Sequence, residues 1–189
     1  MAELMIDYIT SLDGYGSAEG WPGLWGMGGP EYFEFLAEDA RERYTLLMGS
    51  RTYRLFQGFA ETGEEDVSSL TDRQKIVFSR TLTEPLGWEN TAVVNGDAVE
   101  AVRQLKQGDV PLRTLGSPSL CRSLLSAGLV DRYRVVVFPV VNGVTGADRI
   151  YDGWPDVVLQ TTGLRTFDSR LQLFEGVPTH IGEGPPSGP

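Results

Sequence analysis

The sequence predicts an α/β domain: a largely parallel sheet with helices on its faces, closed by antiparallel strands near the C-terminus. Two observations carry this expectation. As far as Gly128, short apolar runs alternate with segments of helical periodicity, an order that packs as parallel strands with helices laid across them. After Gly128 only strand-like runs follow, as expected for antiparallel strands that complete the sheet. A length of 189 residues suits one domain with a continuous core.

The first strand is expected over residues 4–10, "LMIDYIT". A helix over 30–43 places Phe33, Leu36, Ala37, Ala40 and, just beyond it, Tyr44 at i, i+3, i+4 spacing. Glu31 and Glu34 stand early and Arg41 and Arg43 late, which suits the helix dipole. Strands at 44–48, 75–79, 91–94 and 112–115 alternate with helices at 50–56, 98–106 and 118–127. Asp97 and Glu100 have capping-box spacing, and Gly108 ends the helix that follows them. The helix at 118–127 has Ser117 as its N-cap, Pro118 in its first turn and Gly128 at its end. Residues 133–141, 156–162, 164–176 and 178–181 read as strands, with Pro139 marking a bulge or an edge. Asp7, alone in an apolar strand, shares a side with Met5 and Ile9 and is expected as a buried group tied to a neighbouring backbone. The domain is expected to occupy 1–181, and "GEGPPSGP" at 182–189 reads as a flexible tail.

A net charge of −10 with scattered Lys and Arg argues against nucleic acid or an anionic membrane as partner and leaves a small molecule. No apolar run approaches the roughly 20 residues of a bilayer span. The opening "MAELMIDYIT" lacks a basic signal region, so a cytoplasmic location is expected. The single cysteine, Cys121, forms no internal disulfide and reads as a buried hydrophobe. With His180 the only histidine, Ser-His-Asp or Cys-His catalysis and a metal site are poorly supported. The turn Gly116-Ser117-Pro118-Ser119-Leu120, between a strand and a helix, is either an ordinary cap or the floor of a phosphate site.

Six strings, "SLDG" at 11–14, "LLMGSRTY" at 46–53, "VFSRTL" at 77–82, "WENTAVVNGD" at 88–97, "LGSPSL" at 115–120 and "GLVDRYRVVVFPVVNG" at 128–143, occur in register along the chain. Together they resemble the dihydrofolate reductase-like family, and most closely its branch containing the reductase domain of bacterial riboflavin biosynthesis. The resemblance spans roughly residues 4–175 and implies an eight-stranded, mostly parallel sheet with its first strand central, an NADPH-dependent reductase and a homodimer; the apolar run at 133–141 is a second ground for expecting a dimer. It implies NADPH across the carboxyl ends of the strands. Gly116, Ser117, Pro118, Ser119 and Leu120 would cradle the pyrophosphate, and Gly49, Ser50, Arg51 and Thr52 would form a second phosphate turn. Thr10 would add a cofactor contact, and Ser79 and Arg80 would meet the adenosine 2′-phosphate. Two departures stand out: many members have paired glycines where this chain has Gly116-Ser117, and an arginine where it has Ser50.

At the reacting end, folate reductases place a carboxylate on the first helix. The aligned residue here is Tyr32, with the acid Glu31 beside it, so folate reduction is disfavoured. The riboflavin branch presents an aspartate at the mouth of the site, here Asp13, which reads equally well as a turn residue bonding backbone N–H groups. Asp13 and Tyr32 are the catalytic candidates, for orienting the substrate or relaying a proton. "GYGSAEGWPGLWGMGGP" at 14–30 suits a lid, with Trp21 and Trp25 either closing over a planar substrate or packing on the core. The expected function is NADPH-dependent reduction of a small heterocyclic C=N or C=O compound. The rival is a binding protein that keeps the pocket without the catalysis.

Overall fold

The computed structural model describes residues 1–62 and 70–180. The tail expected at 182–189, and the domain boundary before it, lie outside the described residues. An eight-stranded sheet has the order β5-β4-β3-β6-β1-β7-β10-β9. Its strands are β1 (Leu4–Ser11), β3 (Thr45–Gly49), β4 (Lys75–Phe78), β5 (Thr91–Val94), β6 (Leu112–Thr114), β7 (Arg132–Phe138), β9 (Val157–Phe167) and β10 (Leu171–His180). From β5 to β7 all pairings are parallel; β10 and β9 close the sheet antiparallel. The α/β class, the central place of β1 and the antiparallel end are as the sequence predicts.

The α-helices described over their whole length are α1 (Pro30–Asp39), α2 (Ser50–Thr62), α3 (Ala98–Leu105) and α4 (Pro118–Ser126). α3 and α4 pack Val102, Leu120, Cys121, Leu124 and Leu125 against Leu4, Ile6 and Tyr8 of β1. On the opposite face α1 covers β7 and β10 through Tyr32, Phe35 and Leu36, while α2 covers β3 and β4 through Tyr53, Phe56 and Phe59. Cys121 is buried and its thiol is pushed up to about 12 by that burial, so it behaves as a hydrophobe.

Several expectations need correction. α1 ends at Asp39, short of Arg43, and it turns Tyr32, Phe35, Leu36 and Asp39 inward, leaving Phe33 38% exposed. Both Phe33 and Phe35 allowed a helical stripe, and only packing chose between them. The run at 164–176 is not one strand: Asp168 and Ser169, at φ 51° and 56°, turn it into the β9–β10 hairpin. Pro178 sits in β10 beyond the stretch paired with β7, where its missing N–H costs no ladder bond. Within the expected lid, β2 (Tyr15–Ala18) pairs with β8 (Gly146–Arg149) as a separate two-stranded sheet. The apolar run at 133–141, read as a dimer surface, is mostly β7, an interior strand whose Val135, Val136 and Phe138 are already buried within this chain.

Asp7 is not tied to a neighbouring backbone. Its carboxylate takes the Arg134 guanidinium side-on, Nε to Oδ1 at 3.0 Å and Nη2 to Oδ2 at 2.5 Å, from the adjacent position of β7. The same guanidinium donates to both oxygens of Asp39 on α1, at 2.8 and 3.0 Å, and Arg113 of β6 joins Asp39. Burial raises the Asp39 carboxyl, but hydrogen bonds and charge from Arg134 and Arg113 outweigh it and hold the group below its usual value.

The N-terminus of α1 is capped from a distance. Gly29 has no side chain to cap with, and Asp168 of the hairpin turn accepts the N–H groups of Glu31 and Tyr32 at 3.1 and 3.2 Å. A Cβ on Gly29 would lie 2.3 Å from the Asp168 carboxylate carbon, so the close approach requires glycine. Asp168→Gly keeps the positive φ available, so its loss of about 1 kcal/mol in urea unfolding reads the cap itself. Gly29→Ala should also destabilise, and the double variant should cost less than the sum of the two.

Arg134→Met leaves Asp7 without its guanidinium and Asp39 with Arg113 alone, and should cost about 3 kcal/mol or more. Because the folded Asp39 carboxyl titrates below the unfolded one, the unfolded chain takes up the proton first as pH falls. Its contribution is therefore full above pH of about 4 and lost below it. Chemical denaturation across that range should show a flatter profile for Asp39→Asn than for the parent chain.

Candidate functional site

Two of the four helix N-termini receive carboxylate caps: α1 from Asp168, and α3 from Asp97, whose Oδ1 accepts Val99 N at 2.8 Å and Glu100 N at 3.1 Å. Among the described residues no side chain caps the first turn of α2 or α4. These two helices follow the turns that the sequence singled out as phosphate sites. Their first-turn N–H groups have no intrahelical acceptor and carry the positive end of the helix dipole.

Ser117 is not the N-cap that its position suggested. At φ 61° and ψ 71° its hydroxyl points away from α4 and makes no capping bond. The hydroxyl instead accepts Gly49 N at 2.8 Å and donates to Thr52 Oγ1 at 2.7 Å. It thereby fastens the β6–α4 turn to the β3–α2 turn and brings both uncapped helix ends to one place. Gly116, at φ 51°, has open space where a Cβ would stand, so its backbone is approachable from outside.

Beside this junction a cleft of about 570 Å³ opens at the carboxyl ends of β4 and β5, lined by Ser50, Phe78, Ser79, Arg80, Asn95, Gly96, Asp97 and Ala98. It brings together Ser50, Ser79 and Arg80. Arg80 is exposed and forms no ion pair among the described residues. Asn95, Gly96 and Asp97, all within the string "WENTAVVNGD", also line the cleft, although only Asp97 carries a local signal and that signal is for capping α3. Asn95 Nδ2 bonds Ser79 O at 2.7 Å and Leu82 O at 3.0 Å, holding the strand-end turn that presents Arg80.

The remaining candidates fall in different surroundings. Arg51 is exposed and pairs with Asp148 of β8 at 2.5 Å. Thr10 is buried and donates to the backbone oxygen of Ser11 at 3.0 Å. Pro118 and Ser119 form the first turn of α4, while the Leu120 side chain is in the core, which leaves only its backbone for a ligand. Tyr32 is 3% exposed among Phe35, Phe138 and Phe167, and burial pushes its hydroxyl above its usual range. Glu31 accepts the backbone N–H of Asp168, reciprocating the α1 cap. Trp25 is buried against Phe138, while Trp21 is 47% exposed.

Asp13 bonds backbone N–H groups, but across the fold rather than within its own turn. It accepts Gly143 N at 2.9 Å and Asn142 N at 3.1 Å, and takes the Ser11 hydroxyl at 2.7 Å. Those bonds, Gly143 first and then Ser11, draw its carboxyl down to about 2, so it is a carboxylate throughout the neutral range. Trp25 Nε1 donates to Asn142 Oδ1 at 2.9 Å, which orients the Asn142 amide and leaves its buried Nδ2 without an acceptor. Asp13 and Trp25 thus latch the segment after β1 to the segment after β7.

The comparisons agree with this geometry. The chain is 27% identical over 178 residues to the uncharacterized protein YyaP of Bacillus subtilis (strain 168), covering 88% of this chain and 89% of that one. Its fold is similar to that of a provisionally assigned riboflavin biosynthesis protein from Shewanella sp. PV-4, at TM-score 0.72 and 21% identity, over 95% of this chain and 100% of that one. It is also similar to RibD of Acinetobacter baumannii, at TM-score 0.69 and 11% identity, over 95% of this chain and 58% of that longer one. The profile of the RibD C-terminal domain matches residues 2–173. The profile match over most of the chain, together with the shared fold, places this chain in the RibD C-terminal domain family, a family of reductase domains.

Proposed function

We propose that this chain is an NADPH-dependent reductase that delivers hydride to a C=N or C=O carbon of a small heterocyclic compound. The observation that carries the reading is the joining of two uncapped helix N-termini by the Ser117 hydroxyl, beside a cleft that presents Ser79 and Arg80. This donor set fits a dinucleotide phosphate: backbone N–H groups at two helix ends for the pyrophosphate, and a guanidinium for the 2′-phosphate. Ser50, Arg51 and Thr52 on one side, and Ser117 to Leu120 on the other, would hold the pyrophosphate, with Gly49 and Gly116 admitting it closely. NADPH supplies the hydride when bound.

The chain's own task is then to hold the acceptor carbon about 3 to 3.5 Å from the hydride donor and to keep water out. Asp13, fixed as a carboxylate, acts by clamping the Asn142–Gly143 turn at the mouth of the site rather than by relaying a proton. Tyr32 supports α1 from within the aromatic core, and Trp21 is the exposed ring available to cover a substrate. The helix position at which folate reductases carry an acid is a buried tyrosine here, which disfavours dihydrofolate.

Titration should show NADPH binding more tightly than NADH, with Arg80→Ala erasing most of the difference, since a charged hydrogen bond is worth about 1.5–3 kcal/mol. Equal affinity for the two cofactors in the parent chain would remove Arg80 from the 2′-phosphate. Ser117→Ala should weaken both cofactors alike, because it loosens the junction without touching the 2′-phosphate. NADPH oxidation measured against dihydrofolate, a pyrimidine precursor of flavin and simple cyclic imines should give turnover with the pyrimidine or an imine. Tight NADPH binding with no turnover on any of them would favour the binding-protein alternative. In the active case Asp13→Ala should lower kcat/KM about tenfold or more, while the acid limb of the pH profile between pH of about 4 and 7 stays where it was, because Asp13 does not titrate there.

A further inference from the structure

Arg51 stands in the first turn of α2, a turn that no side chain caps among the described residues, yet its guanidinium is committed to a partner elsewhere. Nη1 meets Asp148 Oδ1 of β8 at 2.5 Å, and the Ser17 hydroxyl of β2 donates to Asp148 Oδ2 at 3.0 Å. Both carboxylate oxygens are thereby engaged, and α2 is joined to both strands of the small β2–β8 sheet. Among the described residues this is the only ion pair between that sheet and a helix. The order of the main sheet says where the bridge runs. α2 begins directly after β3, while β2 and β8 continue the chain beyond the carboxyl ends of β1 and β7. β6 lies between β3 and β1, so the pair bridges two strand spacings, about 10 Å, across the carboxyl end of β6. The Gly116–Ser119 turn emerges there, and Ser117 ties it to Gly49. The ion pair therefore lies across the junction of the two uncapped helix ends.

We infer that Asp148 is a built-in competitor for the cofactor: it holds the Arg51 guanidinium across the anion seat until the pyrophosphate takes that guanidinium from it and releases the β2–β8 sheet. The identity of the anion rests on the reductase reading, and the competition rests on the geometry of the pair. One guanidinium between a carboxylate and a pyrophosphate leaves negative charge unmatched, and the net charge of −10 adds to that cost, so the two anions exclude one another. The outcome of the competition follows from exposure. The Arg51 side chain is 84% exposed and meets Asp148 through a single nitrogen, and such pairs are weak. A pyrophosphate that also binds the N–H groups of two helix ends outcompetes it. The sheet responds because it has little stability of its own: β2 and β8 are four residues each and pair only with one another. At its base the sheet stays anchored, since Asp13 holds Asn142 and Gly143, and Ile150 N donates to Gly14 O at 3.0 Å. Asp148 thus sets cofactor affinity without touching the cofactor, and the β8 side of the sheet loosens when the anion arrives.

Inorganic pyrophosphate, titrated into the intact protein without NADPH, reads the competition separately from the cofactor titration. Asp148 stands at φ 59°, a left-handed conformation that Asn tolerates as Asp does, so Asp148→Asn removes the charge and keeps the backbone and an acceptor for Ser17. This variant should bind pyrophosphate about threefold more tightly than the parent chain, within the range that an exposed ion pair provides. In an Arg51→Gln background, where no guanidinium is contested, the same change should alter affinity by less than about 1.5-fold. Linkage requires the same factor in reverse: saturating pyrophosphate should speed hydrogen exchange of the Gly146–Arg149 amides about threefold in the parent chain and leave it unchanged in Asp148→Asn. Equal affinity of parent and Asp148→Asn, a gain as large in the Arg51→Gln background, exchange slowed or unchanged by pyrophosphate in the parent, or no binding of pyrophosphate would each overturn the inference. The exchange measurement on the parent chain needs no variant, so poor folding of either one leaves the inference testable. Failure of NADPH to bind, with pyrophosphate behaving as expected, would instead strike the reductase reading alone.

Discussion

The Arg134 guanidinium is the contact on which the arrangement of the α1/α2 face depends. It projects from β7, takes Asp7 of β1 with two donors and Asp39 of α1 with two more, and lies 5.2 Å from the Phe35 ring centroid. A planar fork with fixed geometry can hold two carboxylates at once, which an ammonium on a flexible stem cannot do with the same directionality. The consequence is that α1 is anchored at its C-terminal end by charge and at its N-terminal end by the Asp168 cap, with the aromatic cluster between them. Buried ion pairs are not strong sources of stability, because desolvation offsets most of the attraction. Their effect here is positional: α1 stands where the guanidinium holds it.

The second organising feature is the unequal treatment of the helix ends. Asp168 and Asp97 cap α1 and α3, while among the described residues no side chain caps the first turn of α2 or α4. Buried polar groups are costly when unmet, and a helix end without a cap forgoes about 1 kcal/mol. The chain accepts this at two helices that meet, and it uses the one hydroxyl that might have capped α4, that of Ser117, to join them. A serine in place of a second glycine therefore does something a glycine cannot: it supplies the cross-link between the turns.

The candidate turns were legible along the chain because they are local. Gly116, the Ser79–Arg80 pair and the Gly49–Thr52 turn each stand at or just past a strand end, where small or basic residues show without tertiary information. The residues read less well are those whose partners come from far away. Trp25 belongs to the core because Phe138 and Asn142 await it. Arg51 faces Asp148 across the small β2–β8 sheet, which no periodicity announced, since strands of four residues carry almost no alternation.

By itself the sequence determined the class of fold, the succession of strands and helices and the strand-to-helix turns at Gly49 and Gly116. These follow from hydrophobic period, glycine and proline placement and strand-to-helix junctions, all of which act within a few residues. Only the tertiary structure decided which side of α1 faces inward, that Asp168 rather than a local residue caps it, that Ser117 ties two turns instead of capping a helix, and that Asp7 meets Arg134. Each of these pairs groups more than 60 positions apart, from Ser117–Thr52 at 65 to Glu31–Asp168 at 137. Such contacts are chosen by packing and by the need of a buried charge or donor for a partner, and a one-dimensional pattern does not encode where in the folded chain that partner will be.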